Sequence, residues 1–368
     1  MNCLIKYIIV VAGILLLSNC SEKSINDSKV QNKTSALHFS IYNDFGDYIQ
    51  LRVLKPWQNA GNIHFDYLFS SNKNQNFSYI NIPAKRIICM STTHVAFLSK
   101  LNEEKSIVGV SGKKFIYNPN IRNNSSIVDV GYNENLNYEL IISLKPDLVL
   151  LYGIGDEITG VMKKLNNLGI PAIIIAEYLE KSPLARLEWI KVFGLITGKE
   201  KMADSIFNAE YDKYQEIKNL TKNIDYRPEV FTGLPYKDHW YVTPGDNITN
   251  NFILDAGAFP VWYNSGNDDI ITTDFETVIL KAGNAEYWIN TGIANSKKDI
   301  LNIDERMQNF SAFKNDNIYN NNKRINANGG NDYFESAVVQ PVIVLKDLIK
   351  IFHPDILPEH NLYYYKKL

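Results

Sequence analysis

Cysteine is scarce in this sequence, and so are the motifs that usually mark an enzyme. The chain has three cysteines among 368 residues, so no disulfide framework is predicted. Cys89 lies in the apolar stretch 87–90 and is predicted to be a buried small hydrophobe. The sequence contains no G-x-S-x-G, no H-E-x-x-H, no phosphate-binding loop and no complete G-x-G-x-x-G. Its six histidines include no pair at metal-ligand spacing, and we predict no catalytic residues, no metal ligands and no cofactor.

An excess of charge of one sign is also lacking. The 38 Lys and Arg residues nearly balance the 40 Asp and Glu residues, which leaves a formal net charge of −2. No run of basic residues provides a surface for nucleic acid, and that class of partner is set aside. Hydrophobic residues make up 45% of a chain that is long enough for two cores.

The N-terminus reads as an export signal. Lys6 precedes the apolar residues 7–17, a run too short to span a bilayer comfortably and typical of a signal-peptide core. The motif Leu17-Ser18-Asn19-Cys20 resembles a bacterial lipoprotein box, which implies that Cys20 is lipidated. We therefore predict a signal peptide over 1–19 and a flexible tether over 20–37. A signal that is cleaved without lipidation is the alternative.

The rest of the chain is organised around the stretch that begins at Ser182. Ser182 and Pro183 are a typical helix start, and apolar residues recur at helical spacing up to Gly198, a predicted stop. A second helix over 200–222 would be roughly 35 Å long, enough to connect two lobes. The alternative is an ordinary pair of surface helices.

Similar segments flank this stretch and favour two related lobes. Tyr138-Glu139 begins a short predicted helix that precedes Lys145-Pro146-Asp147 and the apolar run 148–151. Phe275-Glu276 begins a matching helix, turn and apolar run about one small-domain length later. Each unit ends on a glycine turn.

The pattern predicts an α/β fold of two Rossmann-like lobes joined by a long interdomain helix, with a small N-terminal β-rich extension. Short apolar strands alternate with helices, which is typical of parallel sheets covered on both faces. Trp240–Val242 is counted among the strands of lobe two, and one long helix over 333–352 is expected to kink at Pro341. The predicted boundaries are 38–80 for the extension, 81–198 for lobe one, 199–222 for the connecting helix and 223–368 for lobe two.

Ligands of open α/β sheets collect at the carboxyl ends of the strands. Aromatic and hydrogen-bonding groups that follow the predicted strands suit a bulky, partly apolar small molecule. The predicted ligand-binding residues are Thr92, Thr93, His94, Tyr132, Tyr152, Tyr236, Trp240, Asp332 and Tyr333. Some have simpler explanations: His94 as a helix cap, Tyr132 as a turn residue and Trp240 as part of the core.

Several segments, together with the lipoprotein box, resemble one known family. Residues 83–88, 107–110, 129–131, 144–149 and 168–171 are similar to segments of the substrate-binding lipoproteins of iron–siderophore and cobalamin ABC importers. The resemblance implies two α/β lobes joined by one rigid helix, a ligand held between them, and delivery to an inner-membrane permease dimer with its ATPase.

The resemblance also implies roles for two glutamates and a class of ligand. Glu139 and Glu276 would dock on permease arginines, although a glutamate in the first turn of a helix also interacts favourably with the helix dipole. A metal complex, either a ferric siderophore or haem, is the first expectation for the ligand, and cobalamin is the second. The protein is expected to be a monomer in the periplasm, held at the membrane by its lipid. An exported enzyme on the same fold and a ligand sensor that never docks on a permease are the alternatives.

Overall fold

The computed structural model describes residues 35–43, 46, 48–71, 79–237, 239–266 and 270–368. The described residues belong to one compact unit, Thr34–Leu368. The predicted signal peptide, Cys20 and most of the predicted tether lie outside the described residues, and the boundaries given above for the two lobes and the connecting helix stay predictions.

A four-stranded sheet occupies the predicted N-terminal extension. Its strands are β1 Phe39–Tyr42, β2 Ile49–Leu54, β3 His64–Ser70 and β4 Ile80–Asn81. They lie in the order β1-β2-β3-β4, antiparallel except for the last pair. Leu51, Val53 and Phe69 are fully buried and join the same core as strands of the first lobe. The extension is therefore packed onto the lobe.

Two buried glutamates fix the segment that leads into β1. Glu188 accepts hydrogen bonds from the backbone amides of Ser35 and Ala36, at 2.6 and 2.9 Å. Glu180 accepts hydrogen bonds from the backbone amides of Leu37 and His38, each at 3.0 Å. Because bonds to a charged acceptor are about twice as strong as neutral ones, this N-terminal clamp holds residues 35–38 firmly.

The first lobe contains a five-stranded parallel sheet. Its strands are β5 Ile87–Cys89, β6 Ile107–Val110, β7 Val128–Asp129, β8 Leu148–Leu151 and β9 Ala172–Ile174. Its helices are α1 Thr92–Lys100, α2 Pro119–Arg122, α3 Tyr138–Leu144 and α4 Ile158–Asn167. The strand order is β7-β6-β5-β8-β9, and all four residues of β8 are buried, as expected for a strand covered on both faces.

Three helices connect the lobes: α5 Pro183–Glu188, α6 Ile190–Thr197 and α7 Glu200–Asn219. The hydroxyl of Ser182 caps α5 by accepting a hydrogen bond from the Ala185 amide, as predicted. The single helix expected up to Gly198 is divided into α5 and α6 at Trp189, which keeps helical angles of φ −57° and ψ −17°. Gly198 then stops α6 with φ at 67°, a conformation that glycine adopts without strain.

The second lobe contains the strands β10 Glu229–Thr232, β11 Trp240–Val242, β12 Phe259–Pro260, β13 Ile271–Thr273, β14 Tyr287–Ile289, β15 Ile318–Asn320 and β16 Lys366–Lys367. Its helices are α8 Ile248–Asp255, α9 Phe275–Ala282, α10 Lys297–Leu301, α11 Ser311–Lys314, α12 Asp332–Ser336 and α13 Pro341–Phe352. The main sheet has the order β12-β10-β14-β15-β16, with β16 antiparallel to its neighbour.

Two expectations for this lobe are wrong. The strand β11 does not join the main sheet but pairs with β13 in a separate antiparallel ribbon. The helix expected over 333–352 is broken rather than kinked. Pro341 begins α13, where its missing amide hydrogen has no cost, and Gln340 before it leaves the helical region, with φ −139° and ψ 46°.

The predicted internal repeat is present as a structural unit. The helix–strand pairs α3–β8 and α9–β14 each place their strand beside the first strand of its own sheet. The Asn137 side chain caps α3 at the Leu140 amide, and Asp274 caps α9 at the Thr277 amide. The same local design therefore appears once in each lobe.

Candidate ligand-binding cleft

An incompletely paired arginine lies near the carboxyl ends of the strands in lobe one. Arg186 of α5 approaches Glu177 through one contact of 3.4 Å between Nη2 and Oε1. This contact is long for a charge-assisted hydrogen bond, whose usual length is about 2.7–2.9 Å. The Nε of Arg186 and the Oε2 of Glu177 are both buried without a hydrogen-bond partner among the described residues. Since unsatisfied buried groups are costly, Arg186 has donors available for an added acceptor.

Predicted residues surround this pair. Thr93 donates a hydrogen bond of 2.7 Å from its hydroxyl to Glu177. Tyr152, half-buried after β8, packs edge-to-face on Tyr178 with ring centroids 5.1 Å apart. Burial, and then the charge of Glu177, raise the pKa of Tyr152, while Arg186 acts in the opposite direction. Arg186 therefore lies close enough to Tyr152 for its charge to act on the phenol.

The same arginine faces the second lobe. Burial raises the pKa of Tyr333, and the charge of Arg186 is among the groups that oppose the rise. Thr92 at the start of α1 donates from its hydroxyl to the Phe334 carbonyl, at 3.3 Å. The structure thus brings Thr92, Thr93, Tyr152 and Tyr333 of the predicted set to the junction of the two lobes around Arg186.

Two predicted residues have no surface on which a ligand could lie in this structure. His94 is fully buried, with its ring 6.1 Å from that of Phe193, and burial lowers its pKa to about 3, which outweighs the opposite effect of the Leu150 carbonyl. Trp240 is equally buried and donates its Nε1 proton to the Thr232 carbonyl at 3.1 Å. Both rings belong to the cores, so we leave them out of the proposed site.

At the start of α12, the exposed residue is Phe334 and not the predicted Asp332 or Tyr333. Asp332 is buried and lies 2.6 Å from Nε of Arg324, and Tyr333 packs edge-on against Tyr364 at 5.7 Å. Phe334 is the residue that faces outward, at 63% exposed. Its position on α12 depends on where this short helix begins, which the single long helix expected from sequence did not reveal.

Two predicted tyrosines stand exposed beyond strand ends. Tyr132, 45% exposed, follows β7 and lies over Gly112, where a side-chain carbon would come within 2.8 Å of the tyrosine hydroxyl. Tyr236, 63% exposed, follows β10 in a tight turn whose backbone pairs with His239. One aromatic ring is therefore available at the rim of each lobe.

The lobes also meet directly beside this region. Glu335 of α12 accepts hydrogen bonds from the backbone amides of Tyr117 and Asn118, at 2.6 and 2.9 Å. Asn326 donates to the Ile116 carbonyl at 3.0 Å, and Gly330 packs so tightly on Phe115 that a side chain would collide with its carbonyl. Burial raises the pKa of Glu335 to about 7. A pocket of about 320 Å³ adjoins this inter-lobe contact.

The two glutamates predicted to dock on a permease, here called the tip glutamates, are both exposed at the first turns of α3 and α9. Glu276 lies 2.8 Å from the Nη1 of Arg306. Glu139 forms no ion pair with any residue that the structure describes. The tips therefore share a position but differ in their local charge partners.

Two features are absent from the described part of the chain. It contains no helix long and apolar enough to cross a membrane. The same residues include no group of three or more His, Cys, Asp or Glu side chains placed to hold a metal ion.

Comparison with known proteins identifies the family. Residues 87–324 match the sequence profile described as periplasmic binding protein. This chain belongs to the periplasmic binding protein family. Among solved structures, this periplasmic binding protein resembles a possible iron-binding (periplasmic solute-binding) protein from Staphylococcus epidermidis, with a TM-score of 0.57 and 21% identity over 74% of this chain and 99% of that one.

Other relatives share the fold or the sequence. A periplasmic haem-binding protein of Vibrio cholerae gives a TM-score of 0.58 at 18% identity, with 73% of this chain and 99% of that chain covered. An uncharacterized lipoprotein of Methanocaldococcus jannaschii is 26% identical over 79% of this chain and 70% of its own length. At this level of identity the solved structures support the two-lobed α/β fold, which agrees with the prediction.

Arg186 and Phe334 were both missed, for different reasons. Phe334 depends on the start of the short helix α12, whereas Arg186 lies on α5, beyond the turn that follows β9. The available signal was a charged residue in the otherwise apolar first turns of α5, Pro183-Leu184-Ala185-Arg186-Leu187. A charge there must either face solvent or find a partner.

Proposed function

We propose that this protein captures an iron complex, a ferric siderophore or haem, between its lobes and delivers it to an inner-membrane ABC permease. The observation that carries the proposal is Arg186, a partly exposed arginine with unused donors beside Tyr152 and Tyr333. The family consists of substrate-binding proteins rather than enzymes, and we assign no residue a catalytic role.

The chemistry of Arg186 favours an anionic ligand. A guanidinium presents a planar fork of donors that matches a carboxylate or a similar oxyanion. Iron complexes of acidic chelators and the propionates of haem offer such groups. A ligand oxyanion would bind the accessible part of the guanidinium, since the Arg186 side chain is 25% exposed.

The aromatic residues complete the fit. Tyr132, Tyr152, Tyr236 and Phe334 supply ring surface from both lobes, and largely apolar walls with a few polar groups are typical of small-molecule sites. The likeness to iron-binding and haem-binding proteins supports this class of ligand. A vitamin B12 binding protein of Vibrio cholerae, with a TM-score of 0.54, keeps cobalamin as the alternative.

The same proposal covers delivery and location. Glu139 and Glu276 dock on arginines of the permease, and Cys20 carries the lipid that holds the protein at the membrane on the periplasmic side. The lipoprotein relative supports the anchor. Replacement of Cys20 by serine should release the protein into the soluble periplasmic fraction, and a wild-type protein without an acyl chain would contradict this part of the proposal.

A ligand panel and one matched pair of variants test the site. Haemin, ferric siderophores, cyanocobalamin and molybdate are screened by thermal shift, since saturation at a hundred times Kd adds about 2.7 kcal/mol of stability. We expect Arg186→Ala to weaken the active iron ligand by about 10- to 150-fold, the loss of a hydrogen bond to a charged group. Arg52→Ala, which removes an arginine already paired with Asp66 at 2.7 Å, is the control and should leave affinity unchanged.

The outcomes separate the candidates. Unchanged affinity in Arg186→Ala would contradict the anion site. Binding of cyanocobalamin alone would replace iron transport by the cobalamin alternative. A ligand that is chemically converted would favour an exported enzyme on this fold.

A further inference from the structure

The N-terminal sheet packs its aromatic face against lobe one. Trp57, Phe65 and Tyr67 form a row, with centroids 6.1 Å apart for the first pair and 6.3 Å for the second. Trp57 is buried in the same cluster as Val149 and Leu151 of β8. At the far end of the row, the Tyr67 hydroxyl accepts a hydrogen bond of 3.1 Å from the Ile174 amide of β9. The sheet thus covers lobe one from β9 to β8.

The turn over residues 57–60 reaches the carboxyl end of β8. The Gln58 amide donates to the Ile154 carbonyl at 3.3 Å. Burial raises the pKa of Tyr178, and the Gln58 backbone acts in the opposite direction. The Tyr178 hydroxyl donates to the Gly153 carbonyl at 2.8 Å. One turn of the extension therefore holds Ile154, and Tyr178 holds Gly153, so both residues that follow Tyr152 are fixed by hydrogen bonds.

The loop that carries Tyr152 has little freedom elsewhere. The carbonyl oxygen of Tyr152 accepts a hydrogen bond of 2.8 Å from the side chain of Asn133, the neighbour of Tyr132. A side-chain carbon at Gly153 would lie 2.5 Å from Ile158, so the backbone there runs directly against α4. The contacts run from Gln58 to Ile154, and from Tyr178 to Gly153 and to the ring of Tyr152. The Tyr152 carbonyl then reaches Asn133, so the extension is connected with the loops that carry both predicted tyrosines of lobe one.

We infer that the N-terminal sheet is a part of the ligand site, in which Gln58 and Tyr178 are positioning residues that hold Tyr152 and so determine which ligands lobe one accepts. The inference rests on the proposed function for its ligand and deepens it. It assigns specificity to a segment outside the matched family region of residues 87–324. The sheet is not only a cover for the edge strand.

Two tyrosines at the same interface give a matched test. Tyr178→Phe removes the hydroxyl on the cleft side, and Tyr67→Phe removes the hydroxyl at β9. Hydrogen exchange of amides 153–157 is measured without ligand, and the ratio of the Kd values for haemin and cyanocobalamin is measured with it. We expect Tyr178→Phe to speed the exchange and to shift the ratio by about fivefold, the worth of one hydrogen bond. Tyr67→Phe should lower the melting temperature and leave both the exchange of these amides and the ratio unchanged.

A second variant protects the test against misfolding. Gln58 is the second residue of a turn closed by the Ala60 amide and the Trp57 carbonyl, and Asn59 follows with φ at 61°. This pattern is a type II turn, which accepts proline at the position of Gln58. Gln58→Pro therefore removes the donor amide while it suits the turn, and it should reproduce the effects of Tyr178→Phe.

The results decide the two proposals separately. If both cleft-side variants behave like Tyr67→Phe, the sheet has no role in the site and the inference is overturned. If no probe binds the wild-type protein, the proposed function fails. The exchange measurement then still decides whether the extension holds the Tyr152 loop, and unchanged exchange overturns the inference.

Discussion

The two lobes repeat one helix–strand unit but build its strand from different side chains. In lobe one the strand β8 is Leu148–Leu151, entirely aliphatic. In lobe two the core is aromatic. The ring centroid of Trp288 lies 4.8 Å from that of Phe231, 5.3 Å from that of Phe310 and 5.9 Å from that of Trp240. The same topology is thus stabilised in two ways. The aromatic core takes up Trp240, whereas lobe one contributes polar groups, Thr93, Glu177 and Arg186, to the junction.

The lobe tips differ in a parallel manner. Glu139 stands without an ion-pair partner in the described structure, while Glu276 is held by Arg306, which also contacts Asp304 at 2.6 Å. The two glutamates that we propose as docking residues therefore have different electrostatic surroundings. The equivalence suggested by sequence holds for position and not for charge environment.

The largest expected effect concerns both tips together. Glu139→Arg combined with Glu276→Arg should abolish uptake in cells while the purified protein keeps its ligand affinity, because breaking a close interface charge pair costs about 2–5 kcal/mol. Uptake of the ligand identified in the panel is the measurement. Restoration of some uptake by charge reversal on the permease would support direct contact, and normal uptake by the double variant would refute docking.

Arg306→Ala sharpens the comparison of the tips. It frees Glu276 and makes lobe two resemble lobe one at this position. We expect uptake to be retained, since the change removes an internal competitor rather than a docking group. Loss of uptake would instead make Arg306 part of the docking surface.

The next prediction concerns the two cores. Trp288→Ala should destabilise the protein by about 3–5 kcal/mol, since a fully buried ring in a stacked cluster leaves a large cavity. Leu150→Ala in the aliphatic strand β8 of lobe one should cost about 2–5 kcal/mol, toward the lower end because less volume is removed. Urea unfolding measures both. A larger loss for Leu150→Ala would reverse our view of which core is more sensitive.

The inter-lobe contact adds a smaller, pH-dependent term. Glu335 has its pKa raised from 4.5 to about 7, by burial first, with the Tyr117 and Asn118 amides and Arg122 opposing and Asp332 reinforcing the rise. The folded protein then holds a proton that the unfolded chain releases between these pH values. The stability from Glu335 is complete below pH 4.5 and is lost as pH rises to about 7, by at most about 3 kcal/mol.

Glu335→Gln should remove this decline, which unfolding experiments across that pH range would show. His94 in lobe one provides a contrast of opposite sign. Because burial lowers its pKa to about 3, its contribution is lost as pH falls below its ordinary value of 6.5. Between pH 4.5 and 6.5 the two contributions change in opposite directions and offset each other. The test is therefore the comparison of wild type with Glu335→Gln, and equal pH slopes of the unfolding free energy in both proteins would contradict the assignment of Glu335.

Local apolar runs explain which strands could be predicted from the sequence. The strands β8 and β11 have the predicted bounds, since each is a short apolar run in the sequence. The pairing of β11 with β13 could not be predicted from the sequence, because contacts between residues distant in sequence decide which strands are neighbours in a sheet. The strands β12 and β16 have two residues each, too few to produce a pattern.

The site was predictable only in outline for the same reason. The rule of strand ends named Thr93 and Tyr152, which follow β5 and β8 and lie near Arg186 in the structure. It also named Tyr132, whose place in a ligand site stays a prediction. It could not separate exposed Phe334 from half-buried Tyr333, since the short helix α12 determines that difference. Nor could it detect that Trp240 turns into the aromatic core.

The N-terminal clamp has a mechanical consequence. Glu180 and Glu188 accept hydrogen bonds from the four successive backbone amides of residues 35–38. Glu188 lies on α5, the helix that also carries Arg186. Tension on the preceding chain is therefore transmitted first to these carboxylates, before it strains any strand of either main sheet. The helix α5, which carries Arg186, is therefore among the first parts of the fold that such a load reaches.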